Sequence, residues 1–281
     1  MGASDYKFEH FNVTFPAEYV AQVQIDRPKK LNAFTPAMFT SLGAIFNKLS
    51  HDENVRAIIL TGNGDRAFTA GLDVQAASDS GFMTLGKGED VARRGVKIQR
   101  HIQEIQDTVT AVEKCEKPVI AVMHGYAYGL AIDMTTCCDV RICAKDTTFS
   151  VREVEIGIAA DVGTLSRLPY SGVSMSFIKD VALTARDWSA EEALRVGFVS
   201  AVYDSKKEAL DRALHLAKLI ATKSPVAVQG TKQVINYSRD HQIVDGLEYI
   251  KVWNASMVQT KDTEDALLAG IKKKKPVFAK L

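Results

Sequence analysis

The chain of 281 residues has no apolar run of membrane-spanning length, and its 35 Lys and Arg against 34 Asp and Glu leave a formal net charge of only +1. A bilayer-crossing helix needs about 20 consecutive apolar residues, so no membrane association is expected. Near-neutral charge likewise supplies no basic field for nucleic acid. Cysteine is scarce: Cys115, Cys137, Cys138 and Cys143 form no C-x-x-C pair, and no histidine sits at zinc-finger spacing from them. They are expected as buried free thiols, which behave as small hydrophobes, and no metal site is expected. Neither of the two glycine-containing turns at Ala67–Asp73 and His124–Asp133 is a G-x-G-x-x-G or P-loop match, so nucleotide-phosphate binding is not indicated. The N-terminal stretch mixes Asp5, Lys7, Glu9 and His10 with aromatics, which is no signal peptide and implies folding in a reducing compartment. Internal repeats and low-complexity linkers are also missing.

What is present is an ordinary globular composition, 46% hydrophobic and 25% charged, long enough for one large core or a core with a small appendage. Val20–Ile25 alternates like a half-buried strand and stops at Asp26-Arg27-Pro28. Thr35-Pro36 reads as a helix start, with Met38, Leu42, Ile45, Phe46 and Leu49 following at helical spacing. Val55–Leu60, Val119–Met123 and Val140–Ala144 read as buried strands. Residues 75–88 look loop-like, and a long amphipathic helix is expected from about Asp90 to Cys115. This order of strands and crossover helices argues for an α/β fold. The second half is mostly helical: a capping box at Ser189-Ala190-Glu191-Glu192 with Gly197 closing that helix, a short extended stretch at Val199–Val202, then helices through Leu210–Ile220, from Pro225, and over Ile243–Met257.

Two glycine-containing turns follow buried strands, Ala67-Phe68-Thr69-Ala70-Gly71-Leu72-Asp73 and His124-Gly125-Tyr126-Ala127-Tyr128-Gly129-Leu130-Ala131-Ile132-Asp133. Each can expose backbone N–H groups, the second at a helix start, and two converging donors would make an oxyanion hole. A tight strand-to-helix turn without a ligand explains either one equally simply. Three carboxylates fall nearby. Asp133 suits a first helical turn, Glu153 reads as surface charge beside Arg152 and Glu155, and Asp161 as a helix cap. Against the last, Asp161 sits in Ile158-Ala159-Ala160-Asp161-Val162, an apolar setting that would desolvate an acid and raise its proton affinity. The chain ends in Ala279-Lys280-Leu281, which resembles the S-K-L peroxisomal address. Lys272–Lys275 upstream suits a solvated helix end.

Taken together, Arg27-Pro28-Lys29-Lys30-Leu31-Asn32-Ala33, the Phe68–Asp73 turn, Lys117-Pro118-Val119-Ile120-Ala121 leading to His124-Gly125, and Cys138-Asp139-Val140-Arg141 resemble the enoyl-CoA hydratase/isomerase (crotonase) superfamily in order and spacing, from about Val20 to Phe278. The resemblance implies a spiral of ββα units over residues 1–200, and a helical C-terminal trimerisation region over 201–281. It further implies trimers paired into hexamers, an acyl-CoA substrate and no cofactor. By position, the N–H groups of Ala70 and Leu130 would hold the thioester oxygen. Lys29, Lys30, Ala33, Gly71, Leu72, Asp73 and Gly129 would contact the substrate, and Ala279-Lys280-Leu281 would be read by the peroxisomal import receptor for delivery to the matrix. Where the family often has three glycines this chain has Gly129-Leu130-Ala131, so Leu130 is expected to narrow the acyl pocket.

The acids set the subgroup. Enoyl-CoA hydratases resemble this chain at Glu153 but carry Glu at the position of Asp133 and a small neutral residue at that of Asp161. The stretch Phe149–Thr164 and the helix start Gly88–Arg93 are similar instead to dienoyl-CoA isomerases. That similarity implies Glu153 as base, Asp161 as proton donor and Asp133 as the residue that orients or polarises the pair, in beta-oxidation of unsaturated fatty acids.

Overall fold

The structure is a computed structural model that describes residues 6–79 and 85–281. The described residues form eleven strands and eleven α-helices, the last four helices following one another after the final strand. The strands are β1 (Lys7–Phe8), β2 (Phe11–Ala17), β3 (Val20–Ile25), β4 (Ala57–Gly62), β5 (Ala67–Thr69), β6 (Val119–Met123), β7 (Tyr126–Tyr128), β8 (Val140–Ala144), β9 (Thr148–Ser150), β10 (Trp188–Ser189) and β11 (Ala201–Tyr203). The helices are α1 (Pro36–Ser50), α2 (Val74–Asp79), α3 (Val91–Lys114), α4 (Leu130–Thr136), α5 (Thr164–Arg167), α6 (Met175–Thr184), α7 (Ala190–Arg195), α8 (Lys206–Ala221), α9 (Pro225–Ser238), α10 (Ile243–Met257) and α11 (Lys261–Ile271).

Seven strands form one sheet in the order β1-β2-β3-β4-β6-β8-β11, and four form a smaller one, β10-β9-β7-β5. From β3 to β11 every pairing in the large sheet is parallel. The chain enters the large sheet with a long strand, drops to the small sheet with a short one, and returns through helix: β4 then β5, β6 then β7, β8 then β9. This is the expected α/β spiral of ββα units. The repeat is geometric, and no repeated residues announce it in the sequence.

Burial on both faces explains the continuous apolar strands. Ile58 and Leu60 of β4 face the main core with α1, α3 and α4, whereas Ala57 and Ile59 face a second cluster. That second cluster is completed by Ala209, Ala213, Ala217 and Ala221 of α8, all buried. Their four-residue spacing puts small side chains in one row, so the helix lies close against the sheet.

Several boundaries shift from expectation. Residues 75–79, expected as loop, belong to α2, because the Asp73 side chain caps its first turn (Ala76 N to Oδ1, 3.1 Å). Residues 80–84, the middle of that expected loop, lie outside the described residues. The extended stretch expected at Val199–Val202 is the strand Ala201–Tyr203. Helix α3 begins after Asp90, whose carboxylate accepts from Ala92 N (3.0 Å) and Arg93 N (3.1 Å). The capping box is present, with Glu192 N donating to Ser189 Oγ and Ser189 N to Glu192, each at 3.1 Å. Helix α11 ends at Ile271 and Lys272–Lys275 follow it exposed. All four cysteines are free and buried.

Candidate active site

A cleft of about 300 Å³ opens between α1, α3, the turn after β5, the start of α4 and residues 152–162. Phe39, Ile102, Ile105 and Val162 supply apolar wall, and Asp133, Glu153 and Asp161 all line it. Two roomier hollows, about 520 Å³ and about 440 Å³, flank α9, but neither contains any of these acids. The smaller cleft is the one that brings these three acids together.

Asp133 projects from the first turn of α4 and is 2% exposed. Its Oδ1 accepts from Thr164 N (2.6 Å) and Thr164 Oγ1 (2.8 Å). Burial nevertheless dominates those bonds and pushes its pKa up to about 6. Glu153 opens the short 3-10 helix Glu153–Ile156 after β9. Its Oε2 is buried and has no hydrogen-bond partner among the described residues. Burial, and then the charge of Asp133, raise its pKa to about 7.

Asp161 departs from expectation. It is exposed at the cleft rim rather than desolvated, and it does not cap α5, whose N-cap is Gly163. Its backbone carbonyl accepts from Gln106 Nε2 at 2.5 Å. Of the neighbours that suggested an apolar pocket, Ile158 is itself turned outward, 46% exposed. The desolvated acids of this site are Asp133 and Glu153.

The backbone donors also need correction. Ala70 N–H, expected to face the substrate, donates to the Leu31 carbonyl at 2.9 Å. Leu72 forms a parallel bridge with Phe34, in which Phe34 N donates to Gly71 O (2.8 Å) and Asp73 N to Phe34 O (2.9 Å). The N–H of Leu72 therefore points away from Phe34, and among the described residues nothing accepts from it. Leu130 is the first residue of α4, so its N–H has no intrahelical carbonyl to reach. The two turns abut: a Cβ on Gly71 (φ +91°) would lie 3.2 Å from Tyr128 O and 3.7 Å from Leu130 N. Free N–H groups thus stand at Leu72 and Leu130, not at Ala70 and Leu130.

Of the other expected contacts, Ala70, Gly71, Leu72, Gly129 and Leu130 line the cleft, whereas Lys29, Lys30, Ala33 and Asp73 do not. Lys29 and Lys30 are exposed on the short turn Pro28–Lys30. Asp73 is spent on structure, paired with Arg27 at 2.6 Å besides capping α2. Thr164 was not anticipated as an Asp133 partner; its only signal was a hydroxyl inside the stretch that carries Asp161. His124 is fully buried, outside the cleft lining, with a pKa pushed down to about 4 by burial. Phe278 and Ala279 are held near the other end of the sheet, their carbonyls accepting from Arg56 Nη2 at 2.8 Å each.

A spiral of this kind carrying buried acids beside free backbone donors defines the class. The chain belongs to the enoyl-CoA hydratase/isomerase family, whose model matches residues 16–280. Within that family of enzymes it is similar to dienoyl-CoA isomerases. It is 44% identical over 261 residues to the mitochondrial Delta(3,5)-Delta(2,4)-dienoyl-CoA isomerase of Homo sapiens, covering 92% of this chain and 78% of that protein. It is 40% identical over 257 residues to the peroxisomal enzyme of the same name from Arabidopsis thaliana, covering 92% and 91%. A solved enoyl-CoA hydratase from Bacillus anthracis superposes with a TM-score of 0.85 at 26% identity, covering 96% of this chain and 99% of that one.

Proposed function

We propose that the protein converts a 3,5-dienoyl-CoA to the 2,4-dienoyl-CoA. The observation that carries this reading is the convergence of three carboxylates, Asp133, Glu153 and Asp161, on one cleft that also presents two free N–H groups. The thioester oxygen accepts from Leu72 N–H and Leu130 N–H, the latter strengthened by the start of α4. Glu153 removes a proton from C2, and the charge spreads over the dienolate onto that oxygen. A carboxylate whose pKa lies near 7 is a well-matched base at neutral pH. Asp161 delivers a proton to C6, and the double bonds shift by one position. Glu153 is left protonated and Asp161 ionised, and exchange with solvent or through Asp133 resets them. No electrons leave the substrate.

The alternative is hydration of a 2-enoyl-CoA, the activity named for a Clostridium acetobutylicum relative, Short-chain-enoyl-CoA hydratase, 33% identical over 256 residues. The same reading carries a homotrimer paired into a hexamer. Ile243, Val244, Leu247 and Val252 of α10 are at least 64% exposed, an apolar face that another copy would cover. For the compartment we propose the peroxisome matrix, through Ala279-Lys280-Leu281 and the import receptor. The Arabidopsis thaliana relative is named peroxisomal and the Homo sapiens one mitochondrial. Imaging a fluorescent fusion with and without the last three residues decides between them.

Incubating the protein with a 3,5-dienoyl-CoA and, separately, a 2-enoyl-CoA tests the chemistry. Growth of the longer-wavelength 2,4-dienoyl absorption, lost in Asp161→Asn, is the expected result. No such growth, with loss of the 2-enoyl chromophore instead, replaces the isomerase by a hydratase.

A further inference from the structure

We infer that Asn32 is a positioning residue for the oxyanion donor at Leu72, an inference that rests on the proposed acyl-CoA chemistry of the cleft. Asn32 lies outside the cleft lining and is 0% exposed. Its carboxamide ties three separate pieces of backbone. Oδ1 accepts from Arg27 N (2.9 Å), while Nδ2 donates to Asn63 O (2.9 Å) and to Ala67 O (2.8 Å). The last two sit at the ends of the loop between β4 and β5, so the side chain sets where β5 begins. Gly62 leaves the room for it, since a Cβ there would stand 2.8 Å from Nδ2.

The backbone around Asn32 then carries the turn itself. Leu31 and Asn32 both adopt left-handed conformations (φ 51° and 55°), unusual for consecutive non-glycine residues and sustained only when their surroundings over-determine them. That geometry offers successive groups of 31–34 to the turn after β5. Leu31 O accepts from Ala70 N (2.9 Å), Asn32 O from Thr69 Oγ1 (2.8 Å), Phe34 N donates to Gly71 O and Phe34 O accepts from Asp73 N. Four hydrogen bonds thus consume the groups on one side of residues 69–73 and leave Leu72 N–H as the donor on the other. Arg27 closes the far end, bonding Ala33 O (3.0 Å) and Asp73 (2.6 Å). Preorganised donors stabilise developing charge only if they are held in place before it forms. A shift of the Leu31–Phe34 segment therefore weakens the oxyanion hole without touching Asp133, Glu153 or Asp161.

The test uses Asn32→Asp, which keeps the shape but sets a carboxylate oxygen against the carbonyls of Asn63 and Ala67, and Thr69→Val, which leaves the Asn32 side chain intact and removes the hydroxyl that donates to Asn32 O (2.8 Å) and accepts from Gly71 N (3.1 Å). The probe is 2,4-hexadienoyl-CoA, whose absorption moves to longer wavelength when its thioester carbonyl is polarised. In both variants we expect a smaller red shift on binding and a kcat lowered about 10- to 1000-fold for Asn32→Asp, less for Thr69→Val. The pH at which Glu153 titrates should be unchanged, and KM should move far less than kcat. Folded variants with the full red shift and wild-type kcat overturn the inference, as does a loss confined to melting temperature. If Asn32→Asp fails to fold, Thr69→Val decides alone by the same criteria. Wild-type protein that red-shifts the probe but isomerises no 3,5-dienoyl-CoA defeats the isomerase reading, and loss of the shift in the variants still supports the positioning role. Wild-type protein that binds the probe with no red shift defeats both.

Discussion

Replacing Glu153 by Gln should make the protein more stable at alkaline pH and leave its relative stability unchanged in acid. The Glu153 carboxyl titrates at about 7 instead of the ordinary 4.5 because burial and the neighbouring Asp133 disfavour its charge. Between those pH values the folded protein keeps a proton that the unfolded chain has released. The unfolded state binds fewer protons, so stability falls as pH rises from 4.5 towards 7. At about 1.4 kcal/mol per pH unit the full effect is roughly 3 kcal/mol. Water reaching the open cleft reduces it, so we expect about 1–3 kcal/mol. Glutamine carries no charge to desolvate, so the gain of Glu153→Gln over wild type should be larger at pH 8 than at pH 4.5 by that amount. For a chain of this size it corresponds to roughly 2–6 °C in melting temperature. Thermal unfolding of both proteins across this range, at one fixed protein concentration, measures it. A difference between the two proteins that stays flat with pH would refute the claim that Glu153 is a destabilised, function-tuned carboxylate. The same variant should lose about 10²- to 10⁴-fold in kcat if Glu153 is the base.

Other consequences follow from the same geometry. The rate of the wild-type enzyme with a dienoyl-CoA should climb through about pH 7 as Glu153 ionises, read directly from the acid limb of kcat/KM. Thr164→Val removes the 2.8 Å bond to Asp133 and so raises that acid's proton affinity further; we expect a several-fold loss of activity, restored by Thr164→Ser. Gly129→Ala should cost kcat at least about 10-fold, since its Cβ would sit 3.3 Å from Glu153 Oε1 and φ is +53°. Arg56→Met removes the donor to Ala221, Phe278 and Ala279, and should cost about 2–4 kcal/mol while exposing the last residues to carboxypeptidase, followed by mass spectrometry.

The fold and most of the site were legible because their signals are local. A buried parallel strand needs apolar residues on both faces, so Val119–Met123 and Val140–Ala144 stand out unaided. Helix ends carry their own caps, as Asp90 and Ser189 show. The order of turns and acids along the chain was enough to identify the family, and it singled out Asp133, Glu153 and Asp161, which line one cleft.

What tertiary structure alone decided is which group is free and which is spent. Asp161 has apolar sequence neighbours, yet it stands exposed, while Glu153, written among charges, holds a buried oxygen with no partner among the described residues. Proton affinity depends on what surrounds a carboxyl in space, and the Asp133–Thr164 contact joins residues 31 positions apart. The same holds for the backbone donors. Sequence locates the turn at Ala67–Asp73, but only the bridge between Leu72 and Phe34 determines that Ala70 N–H is consumed and Leu72 N–H remains. A peptide group has one N–H, and the strand that passes beside it settles where that hydrogen goes.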